Sequence, residues 1–138
     1  MPENLARVEH RSVLLAEDNE LNREVTLAML KRLGYGADVA LNGIDVLIAL
    51  KHKKYDLILM NVGLPEMDGL EVTRQIRRII QNGPKIIAVT AYTIPGLKQK
   101  CLEAGMDDYI AKPVRKGELA EVLKKYAPGD PITKGRVR

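Results

Sequence analysis

The sequence predicts an α/β fold, a doubly wound (βα)5 three-layer sandwich in which helices cover both faces of a parallel five-stranded sheet. Short apolar runs alternate along the chain with segments of helical period. Several of these runs lack the apolar/polar alternation of a half-exposed sheet, as expected for strands that are buried on both faces. The chain has 138 residues, the length of one domain. Right-handed crossovers then bring consecutive strands into one parallel sheet.

The apolar runs predict strands at 12–16, 37–41, 57–60, 85–89 and 109–111. Each is followed by a segment whose apolar residues fall on one helical stripe, the pattern of an amphipathic helix. In chain order the stripes are Leu21, Val25, Met29 and Leu33; Ile44, Leu47 and Ile48; Val72, Ile76, Ile79 and Ile80; Leu97, Cys101 and Ala104; and Leu119, Val122, Leu123 and Tyr126. Gly34, Gly83 and Gly105 follow three of these helices, where a left-handed closing residue is favoured. Cys101 lies on an apolar stripe, which favours core packing over chemistry.

Composition excludes several classes of protein. Hydrophobic residues make up 46% of the chain and charged residues 29%, which argues against a disordered or fibrous chain. No apolar run approaches the ~18 residues of a membrane helix, and residues 1–11 are too polar for a signal peptide. A single cysteine forms no internal disulfide and suits a reducing compartment. We therefore expect a cytoplasmic domain without membrane contact.

Charge gives little indication of a partner. The formal net charge is +4, and residues 129–138 hold three cations and one acid, so they supply +2 of it. With no Trp and no Phe, and no recognition helix or basic aromatic groove, a nucleic-acid partner is not expected.

The sequence predicts three parts of the chain: an N-terminal extension at 1–11, one domain at 12–127, and a basic tail or linker remnant at 128–138.

Polar side chains follow four of the predicted strands where each strand ends. They are Glu17 and Asp18 after the first strand, Asn61 and Gly63 after the third, Thr90 after the fourth, and Lys112 after the fifth. The carboxyl ends of parallel strands form the ligand edge of such a sheet. Taken singly, an acid pair often marks a helix start, and a lone Thr or Lys is commonly structural. Their convergence on one edge is what indicates a site.

The acids after the first strand argue against a dinucleotide or flavin site, which would place a phosphate there. Neither GxGxxG nor GxxxxGK[ST] occurs in the chain. Two carboxylates with one or two further oxygens suit Mg²⁺ instead. Lys112 offers a positive charge, and Thr90 a hydroxyl, to an anionic oxygen. The residues therefore predict a phosphoryl group bound beside a metal ion.

Four sequence strings resemble the receiver domain of two-component response regulators. They are VLLAEDNELNREV, YDLILMNVGLPEMDGLEVTRQIR, IIAVTAY and AGMDDYIAKPV, and they occur in the family's order over about residues 12–127. The start EDN-x-x-N is similar to the receivers of hybrid sensor histidine kinases. The resemblance implies a flavodoxin-like fold and a regulatory rather than an enzymatic role. Such a domain accepts a phosphoryl group on an aspartate from a partner's phosphohistidine, with Mg²⁺, and then changes its affinity for a partner.

Carried over residue by residue, the resemblance assigns roles to most of the predicted edge. Glu17 and Asp18 match the acids that hold Mg²⁺, and the backbone carbonyl of Gly63 matches another ligand. Thr90 matches the hydroxyl that moves toward the phosphoryl group, and Lys112 the lysine that contacts it. The aromatic switch position is occupied by Tyr109, the bond between residues 112 and 113 is expected to be cis, and residues 93–127 form the output or self-pairing surface. The implied partners are a histidine kinase or a phosphotransfer protein.

One position departs from the family pattern. The phosphoacceptor aspartate should follow YDLILM, and this sequence has Asn61 there. An amide is not a carboxylate nucleophile, so no stable aspartyl phosphate is expected to form on it. The Asn61 oxygen could still contact a metal, but the loss of one negative charge weakens the predicted Mg²⁺ site.

Two explanations of Asn61 remain open at this stage. It is either a natural feature of a pseudo-receiver or an engineered Asp→Asn change that blocks an ordinary receiver. The main prediction is a receiver of a two-component phosphorelay with its acceptor position lost. The alternative is a phosphorylation-independent protein-interaction module on the same fold. A flavin- or nucleotide-binding enzyme of similar architecture is disfavoured by the acid pair.

Overall fold

A computed structural model describes residues 12–80, 83–91 and 95–127, so the predicted extension and tail lie outside the described residues. Five strands alternate with five helices, which confirms the predicted fold. In chain order they are β1 (Val13–Ala16), α1 (Glu20–Arg32), β2 (Ala37–Ala40), α2 (Gly43–His52), β3 (Leu57–Asn61), α3 (Gly69–Ile79), β4 (Lys85–Thr90), α4 (Leu97–Ala104), β5 (Asp108–Ala111) and α5 (Lys116–Tyr126). None of the helices in these ranges has the length and apolar character that a membrane span requires.

The strands form one parallel sheet in the order β2-β1-β3-β4-β5. β3 and β4 each continue one residue further than the apolar runs predict, to Asn61 and Thr90. The reason is that Asn61 still pairs with Val89, and Thr90 with Ala111, so the ladder extends past the last apolar residue. The parallel register therefore brings the polar ends of the strands to one edge.

Side chains alternate between the two faces of the sheet, so each strand supplies both cores. One core contains Leu14, Ile58 and Ile86 and packs against α2, α3 and α4. The other contains Leu15 and Leu59 and packs against α1 and α5. This layering confirms that helices cover both faces.

The apolar stripes predict the buried side of some helices and not of others. In α4 and α5 the prediction holds, because the predicted side chains are buried or pack, partly buried, against the core: Cys101, Ala104, Leu119, Val122 and Leu123 are buried, and Leu97 and Tyr126 are partly buried. In α1 it is wrong for Leu21 and Val25, which are 70% and 45% exposed while Thr26 and Leu30 are buried. Met29 and Leu33 of the same stripe do pack, partly buried, against the core. Ile44 and Ile48 of α2 and Ile79 of α3 are also exposed. A helix with aliphatic residues on more than one side does not reveal from periodicity which side meets the sheet.

Helix ends follow local sequence, with one exception. Asn19, Asn42 and Asp68 cap α1, α2 and α3, and each side chain accepts a hydrogen bond from a backbone N–H three residues later. Gly34 and Gly105 have φ of 92° and 111°, as the closing positions of α1 and α4 require. The prediction for Gly83 is wrong, because α3 ends at Ile79 with an extended Ile80.

Candidate functional site

The candidate site lies at the carboxyl edge of the sheet, where β1, β3, β4 and β5 end. The Glu17 N–H donates to the Ala40 carbonyl at 3.0 Å, which keeps the chain after β1 in line with β2. The Lys112 N–H donates to the Thr90 carbonyl at 2.7 Å, so the residue after β5 is held against the end of β4. These backbone bonds bring the predicted site residues together although they are far apart in sequence.

Glu17 is the centre of the site. Its side chain is 4% exposed, and its Oε1 lies 3.0 Å from the Lys112 Nζ. Its Oε2 accepts hydrogen bonds from the Asn61 Nδ2 and from the Asn19 N–H, both at 3.1 Å. A buried carboxylate loses its hydration, and here donors from three segments of the chain replace it. The predicted convergence of Glu17, Asn61 and Lys112 is confirmed by these contacts.

Asn61 links the two acids. Asn61 is 8% exposed, and its Nδ2 donates to the Glu17 Oε2 and to the Asp18 Oδ1, both at 3.1 Å. Its Oδ1 accepts a hydrogen bond from the Gly63 N–H, also at 3.1 Å. Each end of the amide therefore has a partner of the matching type. In this arrangement the amino group, and not the oxygen, faces the acid pair.

Helix α1 positions the acids. Asp18 is exposed, and Asn19 caps the helix through its side chain, which accepts from the Asn22 N–H at 2.9 Å. One turn into the helix, the Arg23 guanidinium lies 3.4 Å from the backbone carbonyl oxygens of Glu17 and of Asp18. Sequence reasoning assigned no role to Asn19 or to Arg23. The cap position of Asn19 was the available signal, whereas Arg23 had none.

The remaining predicted residues lie around this centre. Thr90 is 1% exposed at the end of β4, next to Lys112. Gly63 is exposed at the start of the loop between β3 and α3. Tyr109 pairs with Ala88 in the sheet and packs, half-buried, on the core beneath α2, α3 and α4. The Lys112–Pro113 bond is cis, as the resemblance implies.

Gly69 permits the tight approach of α3 to the site. A Cβ at Gly69 would lie 2.7 Å from the Asn61 carbonyl oxygen, too close for any side chain. The Gly69 N–H also donates to the Val62 carbonyl at 2.9 Å. This packing holds the loop that carries Gly63 close to the end of β3.

The chemistry of the donor set suits a divalent cation only in part. Two carboxylates and the exposed Gly63 backbone are the hard oxygen ligands that Mg²⁺ takes. Among the described residues, no group of three His, Cys, Asp or Glu side chains could hold a metal, and the third side chain beside the acids is the Asn61 amide. Formally, Glu17 and Asp18 contribute −2 and Lys112 contributes +1, which leaves −1. A cavity of about 10 Å³ borders Glu17 and Asn61, with room for about one water.

Residues 13–124 match the family described as the response regulator receiver domain. The chain belongs to this family. A receiver domain is a regulatory signalling domain of two-component phosphorelay systems and not a conventional enzyme. Its fold is therefore that of a receiver, and the resemblance seen in the sequence is confirmed for the family.

Curated relatives of this receiver are histidine kinases. Histidine protein kinase 1 of Candida albicans is 40% identical over 133 residues, which cover 88% of this chain and 5% of that protein. Probable histidine kinase 1 of Oryza sativa subsp. indica is 36% identical over 148 residues, covering 84% and 15%. This receiver thus spans a small part of the relatives' length.

Solved structures of receivers superimpose on this one. The receiver domain of sensor histidine kinase PA1611 from Pseudomonas aeruginosa is 40% identical with a TM-score of 0.76, and covers 84% of this chain and 96% of that one. That structure has a magnesium ion coordinated in its active site cleft. The complex of Saccharomyces cerevisiae Ypd1, a histidine phosphotransfer protein, with the Ssk1 receiver domain matches at 28% identity and a TM-score of 0.78, covering 83% and 87%.

Proposed function

We propose that this chain is a receiver whose phosphoryl transfer is blocked at Asn61, and that it acts by binding a signalling partner. The observation that carries the proposal is the position of Asn61, at the end of β3 and hydrogen-bonded to both acids. This is where the resemblance expects the phosphoacceptor aspartate. The amide lacks the anionic oxygen that would attack a phosphohistidine. Both a pseudo-receiver and a blocked ordinary receiver would have this property.

The proposal retains a weakened Mg²⁺ site. Glu17, Asp18 and the Gly63 carbonyl would hold the ion, and the resemblance adds the Asn61 side chain to this set. A bound Mg²⁺ would neutralise the acids and any phosphoryl oxygens beside them. Replacing a carboxylate by an amide removes one charge at a distance of a few ångströms, and solvation offsets much of that loss. We expect affinity about ten- to a hundredfold below that of a receiver with aspartate at this position.

Thr90 and Lys112 have the chemistry to receive an anionic group. In the described structure, the ammonium of Lys112 is paired with Glu17 at 3.0 Å. A phosphoryl group on a carboxylate at position 61 would offer Lys112 a second anion, and Thr90 would donate its hydroxyl to the same group. Tyr109 is proposed as the aromatic residue that changes position when Thr90 moves toward the phosphoryl group. These roles require an acceptor that the chain lacks.

The proposed partner is a histidine kinase or a histidine phosphotransfer protein, and the proposed location is the cytoplasm. The receiver would occupy residues 12–127, between the extension at 1–11 and the tail at 128–138.

Residues 93–127 are the proposed output surface, of which residues 95–127 are described. Since phosphorylation is the usual trigger of self-pairing there, this chain should be monomeric at low micromolar concentration. Sedimentation velocity with beryllofluoride tests this, and a fluoride-dependent dimer would contradict it.

The central test restores the acceptor. With acetyl phosphate and Mg²⁺, the Asn61→Asp variant should gain one phosphoryl group that hydroxylamine removes, and the parent should gain none. Intact-protein mass spectrometry measures both. Asn61→Ala is the matched control, since it also lacks a carboxylate. Labelling of the parent, or failure of a folded Asn61→Asp variant to be labelled, would refute the blocked-receiver proposal.

A second candidate is a phosphorylation-independent interaction module, and exposed apolar residues favour it. Among the described residues, six of the eight large exposed aliphatic side chains lie between residues 21 and 48: Leu21, Val25, Val39, Leu41, Ile44 and Ile48. Only Leu102 of this set lies within residues 95–127. They belong to α1, β2, α2 and the segment between β2 and α2, and exposed apolar residues that form a contiguous patch typically mark a protein-binding surface.

The two candidates differ in how affinity responds to phosphorylation. For the module, a Leu21→Ser/Val25→Ser variant should bind a phosphotransfer protein at least tenfold more weakly than the parent. Leu102→Ser is the matched control and should bind as the parent does. Calorimetry with parent and with phosphorylated Asn61→Asp then separates the candidates. Equal affinity favours the module, whereas a change of more than fivefold favours a blocked receiver.

A further inference from the structure

The Asn61 amide lies between the two carboxylates that would hold a metal ion. We propose that this amide replaces a divalent cation as the partner of the acid pair, and that it competes with the metal for the site. In the structure described, Asn61 is then an internal competitor of Mg²⁺, in place of the metal contact that the resemblance gives to its side chain. The inference rests on the metal site of the proposed function, and it concerns the regulation of that site.

The contacts satisfy the acid pair without a metal. The two N–H groups of the Asn61 Nδ2 are shared between the Glu17 Oε2 and the Asp18 Oδ1, both at 3.1 Å. The second oxygen of Glu17 is taken by the Lys112 ammonium at 3.0 Å. A primary amide offers two donors at a fixed angle, which allows one group to bridge two anions. An incoming cation must therefore displace hydrogen bonds to both acids.

The orientation of the amide is determined by its surroundings. The Gly63 N–H donates to the Asn61 Oδ1 at 3.1 Å. Reversal of the amide would turn its oxygen toward two carboxylate oxygens and its amino group toward the Gly63 N–H. Each of these contacts would bring like partial charges together. The Asn61 oxygen is thus directed away from the acid pair.

The same hydrogen bond links the site to the loop between β3 and α3. Gly63 begins this loop, which Gly69 joins to the end of β3 through its bond to the Val62 carbonyl at 2.9 Å. A metal ion that displaces or reverses the amide also breaks the bond between Gly63 and Asn61. Metal binding should therefore change the environment of the Gly63 N–H together with that of the Asn61 amino group. In the absence of metal, the loop is held by Asn61.

The test compares Mg²⁺ affinity by calorimetry in four proteins. Asn61→Ala removes the competitor and also one oxygen, so it should bind Mg²⁺ about three- to tenfold more tightly than the parent, the effect of one to two hydrogen bonds. Asn61→Asp should bind most tightly, because it adds a charge. Asn22→Ala removes an exposed amide of α1 and should leave the affinity unchanged. Circular dichroism confirms that each variant is folded.

The outcomes separate the inference from the proposed function. If Asn61→Ala binds Mg²⁺ as the parent does, or more weakly, the amide is no competitor and the inference is overturned. If no variant binds Mg²⁺, including Asn61→Asp, the metal site of the proposed function fails, and the inference fails with it.

A nuclear magnetic resonance titration gives a second readout. In the parent, Mg²⁺ should shift the Asn61 side-chain amino resonances and the Gly63 N–H together, with one dissociation constant. In Asn61→Ala, the Gly63 N–H should already have lost the hydrogen-bonded position that it has in the metal-free parent. Asn61 resonances that do not move when Mg²⁺ binds the parent would contradict the competition.

Discussion

Two polar clusters lie at opposite edges of the sheet, and each surrounds a carboxylate of limited exposure with hydrogen-bond donors. The two clusters use different kinds of partner. At the carboxyl edge, Glu17 is surrounded by Lys112, Asn61 and a backbone N–H. At the amino edge, Arg77 at the end of α3 donates to the Gly105 and Pro84 carbonyls and to Asp107, each at 2.9 Å. Both clusters join segments that are distant in sequence.

The difference lies in the partners. Arg77 bonds mainly to backbone carbonyls, and Asp107 also accepts from the backbone of Ile86 at 2.8 Å, so the amino-edge cluster closes the fold itself. The carboxyl-edge cluster consists mainly of side chains, and one of them is a neutral amide that could be exchanged for an ion. Partners that are part of the backbone stabilise the fold, whereas side-chain partners that an ion can replace allow the site to bind that ion.

The largest expected effect is on the amino-edge cluster. Arg77→Ala removes the side-chain donor of two carbonyls and the cation beside the half-buried Asp107 carboxylate, which keeps its hydrogen bond from the Ile86 N–H, so the free energy of unfolding should fall by about 3 kcal/mol. Arg78→Ala is the matched control, because Arg78 is 67% exposed and its Glu71 contact is 3.6 Å, and it should change stability by less than about 0.5 kcal/mol. Urea denaturation measures both. Equal effects would remove the distinction between the two edges.

At the carboxyl edge, Lys112→Met should lower the free energy of unfolding by about 2 kcal/mol, because it removes the cation beside a carboxylate that is 4% exposed. The loss is smaller than at Arg77 because Asn61 and the Asn19 N–H still donate to Glu17. Thermal and urea unfolding at neutral pH measure the change. Adding Glu17→Gln to Lys112→Met should restore part of the lost stability, since no buried charge then lacks a partner. If the double variant is less stable than Lys112→Met, the ion pair is not the cause.

A smaller effect is expected from Asn61→Asp. A third carboxylate beside Glu17 and Asp18 replaces two hydrogen bonds by repulsion, so the metal-free variant should be about 1 kcal/mol less stable than the parent at neutral pH. Mg²⁺ should reverse this loss, because a ligand of the folded state stabilises it by mass action. Thermal unfolding over a range of Mg²⁺ concentrations tests both. A variant that is as stable as the parent without metal would show that the Asn61 hydrogen bonds contribute little.

An effect no larger than that of Asn61→Asp concerns a cluster at the edge strand β2, in which the buried Tyr55 contacts an exposed carboxylate. The Tyr55 hydroxyl donates to Asp38, whose carboxylate also contacts Lys53 at 3.0 Å. Burial, followed by the hydrogen bond to Asp38, raises the pKa of Tyr55 from its usual value near 10 to about 12. Because the folded state raises this pKa, the stabilisation is fully present below pH 10 and is lost as pH rises through about 12.

Tyr55→Phe should therefore be less stable than the parent by about 1 kcal/mol at pH 8, and the difference should shrink between pH 10 and 12. Urea denaturation at three pH values measures it. A difference that stays constant up to pH 12 would show that the phenol does not titrate differently in the folded and unfolded chain.

Local sequence was enough to predict the order of elements and the edge at which the site lies. Asn61 and Thr90 were correctly placed at strand ends, although the ladder includes them as paired residues. The stripe that includes Leu21 and Val25 was wrong as a guide to burial. Burial depends on which side of a helix meets the sheet, and that is a property of packing between segments.

The sequence by itself determined the fold class and brought two acids, an amide and a lysine to one edge, because periodicity and strand order are local properties. Only the tertiary structure decided which way the Asn61 amide points. Its amino group bonds to Glu17, 44 residues earlier, and its oxygen to the backbone two residues later. The direction of an amide depends on the donors and acceptors that surround it in space, and no local pattern of residues specifies them.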